Sequence, residues 1–490
     1  MRILIVSTIF FLSSSKLLAQ NKPDTVVAKW NNTVKVSKTT ATLQVVENPM
    51  VRNSSPIHES TFKALKNLGA DFVRYVPWCP YPKMAVAELK RPTKDKTFWD
   101  FTYLDSTMQA IMEATEGHPA LINFSTTPAW LWKTSAEVKY PENAYEVYWD
   151  YNQGTELRDT TMKELADYYA RLFSWYTKGG FKDELGVFHK SGHFYNLPYW
   201  EVLNEPDLEH NISPALYTKM YDAIVGELKK IAPATKFIGI SVAFCTSPDY
   251  FEYFLNPKNH KAGIPLEGIS YHHYSTPSWS TQTAEAYQYT FFEKADAFLD
   301  KVSYIENIRK RLAPNTFTMI NEIGTILRGP SEAGPIPTEY WNLSGAMYAH
   351  IFLELTKIGI DVAGESQLVG YPSQFPDVSM MNWENGKPNA RYWVLKLLKD
   401  NFGPGDKLVS TSYDGDHAVA AQAFITKKGK RILLINKKNE AAEIALPDEA
   451  KGSVVNMVDV STGENEPAQL QINGRNITLK PFAVAVVEVK

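Results

Sequence analysis

Two cysteines in 490 residues, Cys79 and Cys245, are too few for a disulfide framework, and we read them as separate thiols. Excess positive charge is also missing. The net charge is −3, which excludes the basic footprint that nucleic acid requires of its main partner. After the N-terminus no apolar run approaches the ~18 residues of a membrane span. No strand candidate is followed by a glycine-rich phosphate fingerprint, and no Gly-x-Ser-x-Gly elbow or His-Glu-x-x-His motif occurs, so nucleotide, serine-nucleophile and zinc chemistries have no signature. No metal or other cofactor is expected. What the chain does have is 44% hydrophobic residues, 13% aromatic residues and enough length for a large core and more than one domain.

The first residues, "MRILIVSTIFFLSSSKLLAQN", read as a secretory signal peptide over 1–19. Arg2 supplies the positive start, Ile3 to Leu12 the short apolar run, and Leu17-Leu18-Ala19 the cleavage site. The expected location is therefore secreted or periplasmic, without a lipid anchor, since no cysteine adjoins the cleavage site.

From 47 to 405 strand-like and helix-like segments alternate. In "STFKALKNLGADFVRYV", Phe62, Leu65 and Leu68 share a helix face, Gly69 stops the helix, and a strand follows. Ser213 followed by Pro214 marks another helix start, with Leu216, Met220, Ile224 and Leu228 as its apolar stripe. Counting a strand near 41–46, about eight such units occur, which favours a (β/α)8 barrel over a doubly wound sheet. The tail, 406–490, holds short alternating strands divided by polar turns and reads as an antiparallel β-sandwich. Residues 20–46 also alternate and are expected to add N-terminal strands to that sandwich.

"YWEVLNEPDLEH", Tyr199–His210, begins as a buried strand and then breaks into Asn204-Glu205-Pro206-Asp207. "FTMINEIGT" closes another apolar strand with Asn321-Glu322. In a barrel of this class, the C-terminal strand ends carry the site. Two glutamates there, on the fourth and seventh strands, can face each other across the mouth. Such a pair suits cleavage of a glycosidic bond, with one protonated carboxyl group and one ionised.

The segment "WEVLNEPDL" resembles the acid/base signature of retaining (β/α)8-barrel glycoside hydrolases, and within that clan it is most similar to glycoside hydrolase family 39, the family of β-xylosidases and α-L-iduronidases. The resemblance implies a barrel with an N-terminal strand segment and a C-terminal sandwich. It implies Glu205 as acid/base, Glu322 as nucleophile and Asn204 as the partner of a substrate hydroxyl. It also implies that Arg74, in "FVRYV", orients carboxylates from beneath the site. "ISYHHY" resembles the family's sixth strand. Strand alternation puts His272 and Tyr274 on one face, where Tyr274 can donate to Glu322, and His273 on the other, in packing.

Glu365, with Gln367, ends the eighth strand and is a candidate for binding substrate hydroxyls. Trp78, Trp130, Trp132 and Trp383 are candidates for stacking on sugar rings. The expected partner is an oligosaccharide or polysaccharide, of xylosidase or arabinosidase type. The rival readings are a non-catalytic carbohydrate-binding protein on the same scaffold and a retaining glycosidase of another family of the clan, endo-acting ones included.

Overall fold

The computed structural model describes residues 23–149, 154–243, 245, 248–277, 284–327, 336–372 and 374–490. The signal-peptide segment lies outside these residues, as do parts of the loops after the third and seventh barrel strands.

Eight parallel strands close a barrel in chain order: Thr40–Val46, Val73–Val76, Ala120–Ile122, Tyr199–Glu201, Lys236–Val242, Gly268–Ser275, Phe317–Thr325 and Val362–Glu365. We refer to them as the first to eighth strands. Helices connect them on the outside, and two of the helix ends are those the sequence signals. Gly69 takes the left-handed conformation (φ 57°) that ends helix His58–Leu68, where a side chain would be strained. The Ser213 hydroxyl accepts from the Leu216 amide and caps helix Pro214–Ile231. Because helices cover the outer face and side chains fill the interior, these strands are buried on both faces and read as near-continuous apolar runs.

A nine-stranded curled sheet forms the second layer system. Strand Asp24–Val36 pairs antiparallel with Lys407–Tyr413 and parallel with Ala442–Ala445, so the small domain is built from both ends of the chain. One boundary differs from the expectation. Thr40–Val46 hydrogen-bonds to the second and eighth barrel strands, so the chain leaves the sandwich after Val36 and not at residue 46. The alternation of 24–36 and the continuous burial of 41–46 are two different patterns run together in the sequence.

The join between domains also follows from strand period. In Gly429–Asn436, Ile432 and Leu434 enter the sandwich core, while Leu433 and Ile435 pack into the apolar mass continuous with the barrel. In Val484–Val489, Ala485 and Val487 face the sandwich, and Val484 and Val486 face the barrel side. The stretches 432–435 and 484–487 are apolar at every position because both of their faces are covered.

Candidate active site

The carboxyl ends of the barrel strands open into a cavity of about 530 Å³ lined by Glu205, Glu322, Asn204, His272 and Tyr274, with Trp78, Trp149, Phe298 and Phe375 among the apolar walls. Glu205 lies just beyond the fourth strand. Its amide donates to the Ser241 carbonyl at 2.8 Å, in a backbone stretch where Leu203, Glu205 and Ser241 all have positive φ (62°, 41° and 54°). Non-glycine residues rarely adopt that region, and strain of this kind persists only where surrounding structure imposes it. Here the neighbouring fifth strand and a buried polar network impose it.

Arg74 organises that network from the second strand. Fully buried, it donates from Nε to Glu201 Oε2 at 2.6 Å, from Nη1 to Glu322 Oε1 at 2.5 Å and from Nη2 to Asn204 Oδ1 at 2.7 Å. Glu201 is buried too, and its oxygens also accept from Asn123 (2.5 Å), Ser270 (2.5 Å) and Asn321 (2.7 Å). A buried carboxylate with that many donors is satisfied, so Glu201 is a fixed anion that anchors the guanidinium. Arg74 is thereby held rigidly beneath both Glu322 and Asn204.

Tyr274 donates to Glu322 Oε2 at 2.7 Å. His272, paired across the strands with Glu322, meets Glu205 Oε1 through Nδ1 at 2.7 Å and Ser241 Oγ through Nε2 at 3.1 Å; Nε2 is 3.5 Å from Glu322 Oε1. With the Nδ1 proton donated to Glu205 Oε1, Oε2 is left to carry the acid's own proton. His273 points to the opposite face and stacks on Phe298, with ring centroids 4.3 Å apart.

These contacts drive the two glutamates apart in proton affinity. Burial raises the pKa of Glu205, and the charges of Glu322 and Asp207 add to this, while the His272 bond opposes it. Burial acts the same way on Glu322, but the charges of His272 and Arg74 and the bonds from Tyr274 and Arg74 outweigh it and lower its pKa. The surroundings thus favour the protonated form of Glu205 and the ionised form of Glu322. Glu205, His272 and Glu322 each offer one donor atom, and the three atoms lie within 4.8 Å of one another. They are the only described group that could hold a metal ion, but both histidine nitrogens and the Glu322 oxygens already have partners in the network.

Two expected site residues lie elsewhere. Glu365 is fully buried behind the cavity, where its Oε1 accepts from Arg391 Nε at 2.9 Å; burial lifts its pKa to about 7 against the pull of that arginine. Arg391 begins the helix that follows the strand, so a neighbour 26 residues downstream seals the carboxylate away from substrate. Gln367, two residues on, reaches the cavity instead, with its Nε2 buried and unpartnered. Trp383 is half-buried against the barrel's apolar core and outside the cavity lining. Of the other tryptophans, Trp78 lines the cavity. Trp130 donates to the Glu88 carbonyl at 2.8 Å, and Trp132 is buried, stacking on His210 at 4.3 Å.

Three features have no counterpart in the sequence reading. Glu209 accepts from Trp78 Nε1 at 2.6 Å and Asn204 Nδ2 at 2.9 Å, which fixes the amide beside the acid. Burial, and then the Glu205 charge, push the Glu209 pKa well up. Gln44 and Ser366 bond each other at 2.7 Å on the Glu322 side, where Ser366 also meets the Tyr274 hydroxyl. Trp149, from the loop after the third strand, lies 5.5 Å from Trp78 and 5.8 Å from Phe375, which follows the eighth strand. The three rings form an aromatic arch in the cavity wall that runs from the segment after the second strand to the segment after the eighth, on the side of the first strand. Glu209 was legible as a helix-period neighbour of Glu205; the arch, made by residues 226 positions apart, had no local signal.

Solved structures share the whole architecture at low identity. A family 51 arabinofuranosidase from Xanthomonas axonopodis pv. citri aligns with a TM-score of 0.66 and 14% identity, covering 96% of this chain and 100% of that one. An α-L-arabinofuranosidase from Thermotoga maritima, solved with arabinose, aligns at 0.64 and 14%, covering 95% and 99%. A family 30 endoxylanase from Clostridium papyrosolvens C71 aligns at 0.57 and 13%, covering 95% and 99%. A search of curated proteins gives no match. Residues 416–487 match the family described as the C-terminal immunoglobulin-like domain of D-apionate lactonase. The chain is thus similar, in fold, to barrel glycoside hydrolases that carry an accessory β-sandwich.

Proposed function

We propose that the protein is a retaining glycoside hydrolase that removes a terminal sugar from a glycan. The observation that carries this is the Glu205–Glu322 pair. The two carboxyl groups approach within 4.8 Å, and their surroundings push their proton affinities in opposite directions. A close pair suits double displacement, for which carboxyl groups stand about 5–5.5 Å apart, whereas inversion needs ~6.5–9.5 Å to admit a water.

Glu322, ionised between Arg74 and Tyr274, attacks the anomeric carbon. Glu205 gives its proton to the departing oxygen, and a covalent glycosyl-enzyme forms at Glu322. Glu205, now a base, takes a proton from the water that attacks that intermediate, which releases the sugar and restores both carboxyl groups. Asn204, held by Arg74 and Glu209, presents its remaining amide hydrogen toward the sugar. The arch of Trp78, Trp149 and Phe375 supports attack at chain ends, since it walls the cavity on the side of the first two strands.

The arabinofuranosidase and xylanase neighbours, together with the Asn204-Glu205-Pro206 resemblance to family 39, favour a pentose such as arabinose or xylose. The match of 416–487 to a lactonase's accessory domain favours a second reading, hydrolysis of a sugar lactone in the same cavity. One experiment separates them. A panel of nitrophenyl glycosides (β-xyloside, α-arabinosides, β-glucoside, β-galactoside, α-iduronide) is assayed beside a set of aldonolactones followed by pH-stat. Turnover of a glycoside that disappears in Glu322→Ala supports the glycosidase; turnover of lactones alone contradicts it.

A further inference from the structure

The helix Ala284–Leu312, which follows the sixth strand, presents Lys294, Ala297, Phe298 and Lys301 to the cavity. The spacing, three, four and seven residues, makes them one stripe on one helix face. Stripes that barrel helices turn inward are normally apolar along their length. This one is apolar only in the middle, with an ammonium group two turns apart at each end.

Lys294 donates to the Thr276 carbonyl and, at 2.9 Å, to the Thr276 hydroxyl, which orients it at the rim and leaves one ammonium hydrogen without an acceptor among the described residues. Lys301 is exposed at the rim. Neither forms an ion pair among the described residues, and no described carboxylate lines the cavity apart from Glu205 and Glu322. The field of the two lysines is felt in the wall behind them. Burial first, then the charges of Lys301 and Lys294, hold His273 neutral, with its pKa down at about 3.

The stripe's place in the ring gives it a direction. The aromatic arch walls the cavity on the side of the first and second strands, while the lysines stand beyond the sixth strand and line the cavity with Ala243 and Cys245 of the loop after the fifth. On the hydrolase reading the terminal sugar sits on the arched side, and the remainder of the substrate then leaves past the lysines. We infer that Lys294 and Lys301 form a subsite for an anionic leaving-group sugar, one that carries a carboxylate or a sulfate. The word "leaving-group" rests on the hydrolase reading; the anion subsite itself rests on the stripe alone.

The test is ligand-observed NMR titration of the full chain with D-glucuronate, D-glucose 6-sulfate and D-glucose at low ionic strength. It is repeated on Lys301→Gln and on the Lys294→Gln/Lys301→Gln double variant, each checked for native circular dichroism. Wild type is expected to bind at least one of the anions about tenfold more tightly than glucose, with the preference fading as salt rises. Lys301→Gln should lose part of that preference and the double variant all of it. The anion that binds more tightly names the source, carboxylate or sulfate. Equal affinity for the three sugars, including no measurable binding of any, overturns the inference, and so does a preference that survives in the double variant. No turnover is needed, so failure of the glycoside panel would overturn the hydrolase reading and leave this result standing.

Discussion

The seventh and eighth barrel strands are alike near their carboxyl ends: each carries a buried glutamate bonded to a buried arginine, Glu322 to Arg74 and Glu365 to Arg391. Their surroundings make them different groups. Arg74 comes from the barrel interior, is anchored by Glu201 and leaves Glu322 facing the cavity, with Tyr274 on its other oxygen. Arg391 comes from the outer helix and draws Glu365 out of the cavity altogether. One pair faces the cavity, where we propose it serves chemistry, and the other joins the last helix to the barrel. The lesson is that a carboxylate at a strand end is defined by the side from which its cation arrives.

Substitution is the sharpest way to break that comparison. Glu322→Ala should lower turnover of the best aryl glycoside by about 10⁴-fold or more, equivalent to ~5 kcal/mol of barrier, with the fold intact by circular dichroism. Loss of the acid should be more selective. Glu205→Ala is expected to cost about 10²–10⁴-fold on glycosides with poor leaving groups and far less on a dinitrophenyl glycoside, measured as kcat/KM across a leaving-group series. A flat series in this variant would remove Glu205 from the acid role.

Glu365→Ala should show the opposite character. It strands Arg391 without its partner in the interior, so thermal or urea unfolding should report a loss of ~3–5 kcal/mol, while the molecules that remain folded keep their turnover. A variant with full stability and no activity would return Glu365 to the site. The smallest expected effect concerns pH. Activity needs Glu322 ionised and Glu205 protonated, so it should rise as pH climbs through the lowered pKa of Glu322 and fall as pH passes the raised pKa of Glu205. Tyr274→Phe removes a donor that favours the ionised Glu322; the acid limb of kcat/KM should move up by about one unit, and the alkaline limb should hardly move.

Much of this could be read from the chain because it is local. The helix stop at Gly69, the cap at Ser213 and the strand break before Glu205 each depend on residues a few positions apart, whereas the seventh strand runs on past Glu322 to Thr325. The alternation that separates His272 and Tyr274 from His273 is local as well. What stayed hidden depends on contacts between distant segments. Glu365 was misplaced because its partner, Arg391, reaches back from the following helix. The first barrel strand merged with the sandwich segment because Ser37–Thr39, the turn between them, carries no Gly or Pro to mark a boundary. The lysine stripe has plain helical spacing, yet only the packed barrel shows which face of the helix meets the cavity.

The central claim is that Glu322 forms a covalent bond to the sugar. The most direct test is to incubate the protein with the 2-deoxy-2-fluoro analogue of whichever glycoside it turns over, digest it and measure peptide masses. A fluoroglycosyl adduct is expected on the peptide spanning Phe317–Thr325, localised to Glu322. An adduct on any other residue, or steady turnover of the parent glycoside to the sugar of inverted anomeric configuration, would contradict it.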